Sequence, residues 1–211
     1  MVEKVDLPPM SVPAMILAGG LSRRMGGGDK GLLQLGDRSI LGHVVYRIRP
    51  QVLALALNAN GDPARLATFG LDVIPDPVPG FAGPLAGILA ALSWAAGVAP
   101  KATHVLTVPS DTPFLPLDLA ARLQAAIRAP GDSVMAARQG RRHPVVGLWP
   151  AGCYDALEAA VRLEGLRKVE AWTDRIKTRA VSFDDAASDP FFNVNTPSDL
   201  TAAQALLGIN P

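Results

Sequence analysis

The sequence is poor in sulfur and imidazole: one cysteine, Cys153, and three histidines stand among its 211 residues. A single thiol cannot form a disulfide within the chain, and one cysteine is too few for a Cys/His zinc cluster. We therefore expect Cys153 to pack as a small apolar residue, an interpretation preferred over a catalytic thiol. His43 and His104 have no partner pattern around them and are expected to pack or to lie at the surface.

An excess of charge and a long apolar run are also missing. The formal net charge is +1, whereas proteins that bind nucleic acid or membrane surfaces usually carry a clear basic excess. No apolar run approaches the ~20 residues that a bilayer span needs, and the leader MVEKVDLPPMSVPA lacks the apolar core of a signal peptide. We expect a cytoplasmic protein without nucleic-acid or membrane partners, with a flexible tail over residues 1–12 and a single domain over 13–211.

What the chain does have is a regular alternation of strand and helix patterns, with hydrophobic residues at 49%. Strands are predicted at AMILAGG, VLALALN, LDVIPD and THVLTVPSD. Between and after them, helices are predicted at SILGHVVYRI, DPARLATFG, LAGILAALSWAAG and LDLAARLQAAIRA. The alternation predicts βαβ units and therefore a three-layer α/β fold, a mostly parallel sheet covered by helices on both faces. The second half is less regular, with strands predicted at DSVMAAR and HPVVGLWP, and an antiparallel strand is expected somewhere within it.

Polar or glycine-rich segments follow each of the first predicted strands. They are the loop after AMI, NAN at 58–60, PDP at 75–77 and PSDTP at 109–113. In open parallel sheets, ligands bind beyond the carboxyl ends of the strands. The sequence therefore predicts a ligand site that these four segments build together.

The first of these loops, LAGGLSRRMGGGDKG, matches neither common phosphate-binding motif. Lys30 is followed by glycine rather than by the Ser or Thr of a Walker A loop, and the dinucleotide fingerprint is not cleanly present. Gly19 and Gly20 would still let the backbone approach a base or phosphate closely. Arg24 and Lys30, with Arg23 at the solvent side, could neutralise a triphosphate. The alternative is an ordinary glycine loop with solvated basic residues.

Two further segments offer oxygen ligands. Asp111 comes directly after a buried strand, where a carboxylate can hold Mg²⁺; the alternative is an Asx turn or a helix cap. In FFNVNTPSDL, Asn193 and Asn195 precede a helix whose N-cap is either Asn195 or Thr196. The residues alone leave these alternatives open.

The stretch LAGGLSRRMGGGDKGLLQL resembles the opening signature of the Rossmann-like nucleotidyltransferases, often written LAGG-x-S-x-RMG-x-x-K. Within that superfamily it is most similar to the molybdenum cofactor guanylyltransferases, and the resemblance extends from residue 14 to about residue 206. It implies a Rossmann-like nucleotidyltransferase fold, with Mg²⁺ as the cofactor. It also implies transfer of GMP from GTP to the phosphate of molybdopterin, with or without bound molybdenum, and release of pyrophosphate.

The resemblance also implies roles for individual residues. Lys30, Arg24 and Asp111 would be catalytic, and Asp111 and Asn195 would hold the metal ion. Arg142, His143 and Asn193 would face the pterin, since the turn RQGRRHPVVGLW is basic and the pterin substrate is anionic; the alternative for that turn is a solvated hairpin end. The implied contacts to GTP are Leu17, Ala18, Gly19, Gly20, Lys30, Asn58, Asp76 and Asp111.

Two other functions remain open at this point. Cytidylyltransferases and sugar-phosphate nucleotidyltransferases share the fold but more often have LAAG in the first motif, so Gly19 favours guanine. A non-catalytic carrier that hands cofactor to an apoenzyme would keep the glycine loop without needing the metal site. GTP and molybdopterin are the expected small-molecule partners, and molybdoenzyme apoproteins or their chaperones are candidate protein partners.

Overall fold

Nine strands and six α-helices alternate in the computed structural model, which describes residues 12–19, 30–78 and 83–208. The strands are β1 Ala14–Leu17, β2 Gln34–Leu35, β3 Arg38–Ser39, β4 Leu55–Asn58, β5 Val73–Ile74, β6 His104–Pro109, β7 Val134–Arg138, β8 Arg141–Pro150 and β9 Arg179–Ser182. The helices are α1 Ile40–Ile48, α2 Pro84–Val98, α3 Leu119–Ala125, α4 Tyr154–Arg162, α5 Val169–Arg175 and α6 Pro197–Leu206. Short 3-10 helices cover Lys30–Leu32, Arg49–Gln51, Pro63–Phe69 and Ala151–Cys153.

Seven of the strands form one sheet in the order β5-β4-β1-β6-β8-β7-β9. Strand β8 runs antiparallel to both of its neighbours, and every other pairing in this sheet is parallel. The prediction of a mostly parallel sheet with an antiparallel strand in the second half is therefore confirmed.

Helices cover both faces of this sheet, as the alternation of strand and helix predicts. Ala14 and Ile16 of β1 pack into a core with α1 and α3, whereas Met15 packs into a second core with α2, α4 and α5. The same alternation holds in β4, where Leu57 and Ala56 lie in opposite cores. Successive residues of a strand point to opposite faces, so a strand buried on both sides is apolar throughout. The result is the predicted three-layer arrangement.

Helix α6 joins the molecule through a third, smaller core. Val194 and Ala203 pack there with Leu35 and Ile40, next to the β2–β3 hairpin. The helix begins with a capping box in which the Thr196 hydroxyl accepts the Asp199 N–H and the Asp199 carboxylate accepts the Thr196 N–H. Thr196 is therefore the N-cap, which leaves the side chain of Asn195 available for other contacts.

Strand β8 contains a bulge of three residues. Gly147 pairs with Met135, but the next residue of β7, Ala136, pairs with His143, so residues 144–146 have no partner on β7. Pro144 cannot donate a ladder hydrogen bond, which fits its place in a bulge. A Cβ on Gly147 would lie 3.0 Å from the Val134 carbonyl oxygen, so glycine permits the close pairing that resumes there.

The residues expected to be structural behave as packing residues. His43 contacts the Leu35 carbonyl oxygen through Nε2 at 2.7 Å, and His104 contacts the Asp132 carbonyl oxygen at 2.9 Å; both are buried. Burial raises the pKa of the Cys153 thiol to about 12, which keeps it protonated and unreactive at neutral pH. Val12, at the end of the predicted tail, is buried, and its carbonyl oxygen accepts the Leu53 N–H at 2.9 Å.

Candidate active site

Four strand ends meet at one edge of the sheet. Leu17 of β1 is in register with Asn58 of β4 on one side and with Pro109 of β6 on the other, and Asn58 is in register with Ile74 of β5. Because these strands are parallel, their carboxyl ends emerge side by side. The glycine loop, NAN, PDP and PSDTP therefore begin at neighbouring positions, as the sequence predicts.

Asn58, Asn60 and Asp76 form a hydrogen-bonded group, called here the Asp76 cluster. Asn58 Nδ2 donates to Asp76 Oδ1 at 3.0 Å and Asn60 Nδ2 donates to Asp76 Oδ2 at 2.8 Å, while the Asp76 N–H donates to Asn60 Oδ1 at 2.9 Å. Asn58 Nδ2 also donates to the Ile74 carbonyl oxygen, and Asn58 is 2% exposed. Among the described residues each carboxylate oxygen accepts one side-chain N–H, which leaves a lone pair on each for a ligand donor.

Two glycines border this cluster closely. A Cβ on Gly19 would lie 3.5 Å from Asn58 Oδ1 and 4.0 Å from Asp76 Oδ2, so this position faces the Asp76 cluster directly. A Cβ on Gly87, in the first turn of α2, would lie only 2.6 Å from Asn58 Oδ1 and 3.0 Å from Leu17 Cδ2. A glycine at position 87 therefore permits the close approach of α2 to the strand ends.

Lys30, Asp111 and Asn195 form the second feature of the site, called here the Lys30 triad. Lys30 Nζ donates to Asp111 Oδ2 and to Asn195 Oδ1, each at 2.5 Å, across 81 and 165 residues of sequence. Asp111 and Lys30 are partly buried, with side-chain exposures of 15% and 19%. The two predicted metal-ligand oxygens therefore converge on one cation position.

Local structure fixes each member of the Lys30 triad. Lys30 opens a 3-10 turn whose Gly31 packs against α1, where a Cβ would lie 3.3 Å from Leu41 Cβ. The segment before α6 is held by Asp199, whose carboxylate accepts the Asn195 N–H at 2.9 Å. The hydrogen bond from the Asn195 N–H is the main cause that lowers the pKa of Asp199, and the hydrogen bond with the Thr196 side chain is the second. Asp199 therefore stays ionised and keeps Asn195 in place.

A small cavity of about 90 Å³ lies between the Lys30 triad and the end of β1. Its lining includes Leu17 and Ala18, both predicted to contact GTP, together with Lys30, Ser110 and Asp111. The Ala18 N–H donates to the Asn58 carbonyl oxygen at 2.8 Å, which anchors this backbone next to the Asp76 cluster. The structure therefore brings together the described residues that were predicted to bind the nucleotide.

A larger cleft of about 510 Å³ opens on the other side of Asp111 and is called here the basic cleft. The predicted pterin-side residues Arg142, His143 and Asn193 all line it. Sequence reasoning did not assign Arg167 and Lys168, which stand before α5 and also line it. Positive charge exceeds negative charge among its lining residues, which include Asp111, Arg141, Arg142, Arg167, Lys168 and Glu170. Such a cleft suits an anionic ligand.

Two of the predicted pterin-side residues, Arg142 and His143, are held in different ways. Arg142 Nη1 is 2.7 Å from Asp174 Oδ1 in an exposed ion pair. The His143 ring lies 4.4 Å from the Phe191 ring. Burial, and secondarily the charge of Arg141, lowers the pKa of His143, so the imidazole is neutral at pH 7.

Arg138, from the same basic turn, has a structural role instead. Its guanidinium donates to the carbonyl oxygens of Ser188 and Ala186. Gln139 and Gly140, which follow it, both have positive φ in the hairpin between β7 and β8. The turn thus combines a solvated hairpin end at 138–140 with cleft-lining residues from 141 onward.

Gly20 and Arg24 complete the set of predicted site residues, and they lie outside the described part of the chain. The same holds for Arg23 and the three glycines at 26–28. The roles assigned to Gly20 and Arg24 in nucleotide binding stay predictions.

Comparison with known protein families identifies the family to which this sequence belongs. The family described as MobA-like NTP transferase domain matches residues 14–177. The chain belongs to the MobA-like NTP transferase family. It is 52% identical over 197 residues to the molybdenum cofactor guanylyltransferase of a Bradyrhizobium species, covering 93% of each chain. It is 50% identical to the enzyme of the same name from Rhodopseudomonas palustris, covering 93% of this chain and 94% of that one.

Solved structures support the fold of this MobA-like transferase. Molybdopterin-guanine dinucleotide biosynthesis protein A from Archaeoglobus fulgidus aligns with a TM-score of 0.72 at 22% identity, covering 93% of this chain and 99% of that one. The 2-C-methyl-D-erythritol 4-phosphate cytidylyltransferase from Thermus thermophilus aligns with a TM-score of 0.65 at 20% identity, covering 95% and 100%. The nucleotidyltransferase fold is therefore shared with a cytidylyltransferase, so the fold by itself does not choose the base.

Besides Arg167 and Lys168, two further residues of this MobA-like transferase were not assigned to the site from its sequence. Asn60 belongs to the Asp76 cluster through two hydrogen bonds, although its position in NAN is equally typical of a turn. Thr112 links Asp111 and Asn193 through its hydroxyl, and its place in SDTP is the usual signal of a turn.

Among the described residues, no helix has the length and apolar character that a membrane crossing requires.

Proposed function

We propose that the protein transfers GMP from GTP to the terminal phosphate of molybdopterin, forming a guanine dinucleotide of the pterin and pyrophosphate. Support comes from family membership, from relatives at about 50% identity named molybdenum cofactor guanylyltransferase, and from the polar sites at the sheet edge. The Asp76 cluster would take the nucleoside, the Lys30 triad the phosphates, and the basic cleft the anionic pterin.

The reaction needs alignment more than covalent help. An oxygen of the pterin phosphate attacks the α-phosphorus of GTP, one P–O bond forms, and the bond to the β-phosphate oxygen breaks with pyrophosphate as the leaving group. A phosphate monoester is already a nucleophile, so no activated Ser or Cys is required. The protein must hold two anions in line and neutralise charge on the leaving group.

The described residues divide this work between them. Asp76 can accept N–H donors of the guanine edge, since its two oxygens are oriented by Asn58 and Asn60. Gly19 keeps the face of that cluster open to the base. The Lys30 ammonium supplies positive charge beside the phosphates, and Arg24 is proposed to assist it at the leaving group.

The Lys30 triad also fits a magnesium ion. Asp111 Oδ2 and Asn195 Oδ1 are oxygen donors that already meet at one cation, the Lys30 ammonium. Within the described residues there is no group of three or more His, Cys, Asp or Glu that could hold a metal. Mg²⁺ is often held by one carboxylate with substrate phosphates and water, and it supplies charge neutralisation at the α-phosphate. With the ion held by these two oxygens, the Lys30 ammonium would be available to the triphosphate.

The position of Asp111 is the single observation that carries the proposal. Asp111 lines both the small cavity beside the end of β1 and the basic cleft. A carboxylate at this point would lie beside both the nucleotide α-phosphate and the attacking phosphate, where a transfer site needs its charge.

The test is pyrophosphate release by the purified protein with GTP or CTP, Mg²⁺ and molybdopterin. We expect Mg²⁺-dependent turnover with GTP, formation of the guanine dinucleotide, and slower turnover with CTP. Preference for CTP or for a sugar phosphate as acceptor would identify the related cytidylyl or sugar-phosphate activity instead. Nucleotide binding without pyrophosphate release would identify a carrier.

Asp111→Asn and Lys30→Met are each expected to lower turnover at least about 100-fold, because each removes charge where charge develops in the transition state. Asp72→Asn and Lys101→Met are the matched controls, since both residues are exposed and precede their strands at the opposite edge of the sheet. All four variants should keep the wild-type circular dichroism spectrum. Wild-type turnover by Asp111→Asn would remove the assigned role of Asp111.

A further inference from the structure

The segment before α6 contacts both sides of the site through alternate residues. Asn193 lines the basic cleft, Val194 is fully buried in the third core, and Asn195 belongs to the Lys30 triad. The Val194 N–H donates to the Asp111 carbonyl oxygen at 2.9 Å. This bond holds the segment beside the turn that carries Asp111. A shift of that turn would therefore also move the backbone next to Asn193.

Thr112 makes the second connection between the turn and this segment. Its residue is 1% exposed, and Oγ1 lies 2.9 Å from Asn193 Oδ1 and 3.3 Å from Asp111 Oδ1. A hydroxyl has one proton to donate, so the nearer oxygen, that of Asn193, receives the better hydrogen bond. A buried hydroxyl therefore holds one end of an exposed amide.

An asparagine amide has an accepting end and a donating end, and the two present opposite partial charges to a ligand. With Oδ1 engaged by Thr112, the two N–H bonds of Nδ2 remain for the basic cleft. Within the described part of the chain, Asn193 Nδ2 makes no hydrogen bond. The reverse orientation would direct lone pairs at an anionic ligand, which repel its oxygens.

We infer that Thr112 is a positioning residue for the acceptor substrate: its hydroxyl fixes the amide of Asn193 so that Nδ2 donates to an anionic or carbonyl oxygen of the acceptor. This inference rests on the proposed function, because that function places the acceptor in the basic cleft. Thr112 acts through Asn193, so it affects binding of the acceptor and leaves binding of the nucleotide unchanged.

The test compares steady-state kinetics of Thr112→Val, Thr112→Ser and wild type. Valine keeps the volume of threonine and removes the hydroxyl, whereas serine keeps the hydroxyl. We expect Thr112→Val to raise KM for the pterin roughly tenfold, the usual size of one lost hydrogen bond to a charged group. Its kcat and its Kd for GTP should stay within about twofold of wild type, and Thr112→Ser should restore the KM.

Thr178→Val is the matched control for loss of a threonine hydroxyl. Thr178 Oγ1 is 2.7 Å from Ser133 Oγ, and both residues precede their strands, β9 and β7, at the opposite edge of the sheet. Thr178→Val should leave KM for the pterin unchanged. A similar KM increase in both variants would indicate a general loss of order and overturn the inference.

A double-mutant cycle with Asn193→Ala identifies the route of the effect. Because Asn193 is exposed, Asn193→Ala should fold, and Thr112→Val should raise KM no further in that background. An undiminished effect there, an unchanged KM in Thr112→Val, or a fall in kcat alone would each overturn the role assigned to Thr112. Inactivity of wild type with GTP and molybdopterin would instead contradict the proposed function, so the two failures are distinct.

Discussion

The two sides of Asp111 are built differently. On one side, the Asp76 cluster consists of short side chains at the ends of parallel strands, and each is hydrogen-bonded to another. On the other, the basic cleft has long exposed arginines on a bulged antiparallel strand, and Arg142 is held by an exposed ion pair. We therefore expect the first region to be the more rigid of the two. Substitutions should therefore couple binding to stability in the first region and leave stability unaffected in the second.

Gly87→Ala should give the largest effect and break the rigid region. The new Cβ would lie 2.6 Å from Asn58 Oδ1, so Asn58 or α2 must shift. We expect the free energy of unfolding to fall by about 1–3 kcal/mol and the affinity for GTP to fall roughly tenfold. Thermal unfolding and calorimetric titration with GTP measure the two effects.

Gly97→Ala is the control within the same helix, because nothing lies within 4 Å of its added Cβ. Alanine stabilises an open helical position by about 0.5–1 kcal/mol relative to glycine. We expect a slightly higher melting temperature and unchanged GTP binding. If Gly87→Ala behaved like Gly97→Ala, the close contact with Asn58 would have no energetic consequence.

Arg142→Ala should have the next largest effect and sharpen the contrast. The arginine lines the basic cleft, and its pair with Asp174 is exposed, so stability should hardly change. We expect KM for the pterin to rise roughly fivefold with little change in GTP binding. Arg175→Ala is matched to it, since Arg175 forms a similarly exposed pair with Glu164. Equal effects of the two substitutions on KM would refute a specific role for Arg142.

The titration of His143 should show the smallest effect. Burial and the charge of Arg141 lower its pKa below the ordinary 6.5, so the folded protein binds this proton more weakly than the unfolded chain does. Its contribution to stability is present above pH 6.5 and is lost as the pH falls through the folded-state pKa. An NMR titration should place the midpoint below 6.5, and Arg141→Ala should move it upward. A midpoint above 6.5 would contradict the burial of this ring.

Much of the fold and part of the site could be predicted from local pattern. Apolar runs that alternate with helical patterns predict the mostly parallel sheet and its helical layers. Asp111 follows a predicted strand whose apolar run already indicates that it is buried. The Lys30 triad depends on pairing across 165 residues, and family resemblance rather than periodicity indicated its members. The contacts of Lys30 with Asp111 and Asn195 are visible only in the folded structure.

The remaining features depend on distances that no local pattern contains. Gly87 and Asn58 lie 29 positions apart, and only the packing of α2 reveals that a methyl group does not fit between them. Thr112 has the sequence signature of a turn residue, and its hydroxyl gains another use from Asn193, 81 residues away. Pro144 indicates from the sequence that the pairing of β8 is interrupted. The length of the interruption, residues 144–146, is known only from the pairing of β8 with β7.

The bulge at residues 144–146 has an evolutionary consequence. It separates two paired stretches of β8 that each keep their own register with β7, so an insertion or deletion there leaves the core pairing around Leu148 intact. Such a change would shift the wall formed by His143 and its neighbours without disturbing the strand ends that hold Asn58 and Asp111. Under the proposed function, changes in this bulge would alter the acceptor side of the site and leave the nucleotide side unchanged.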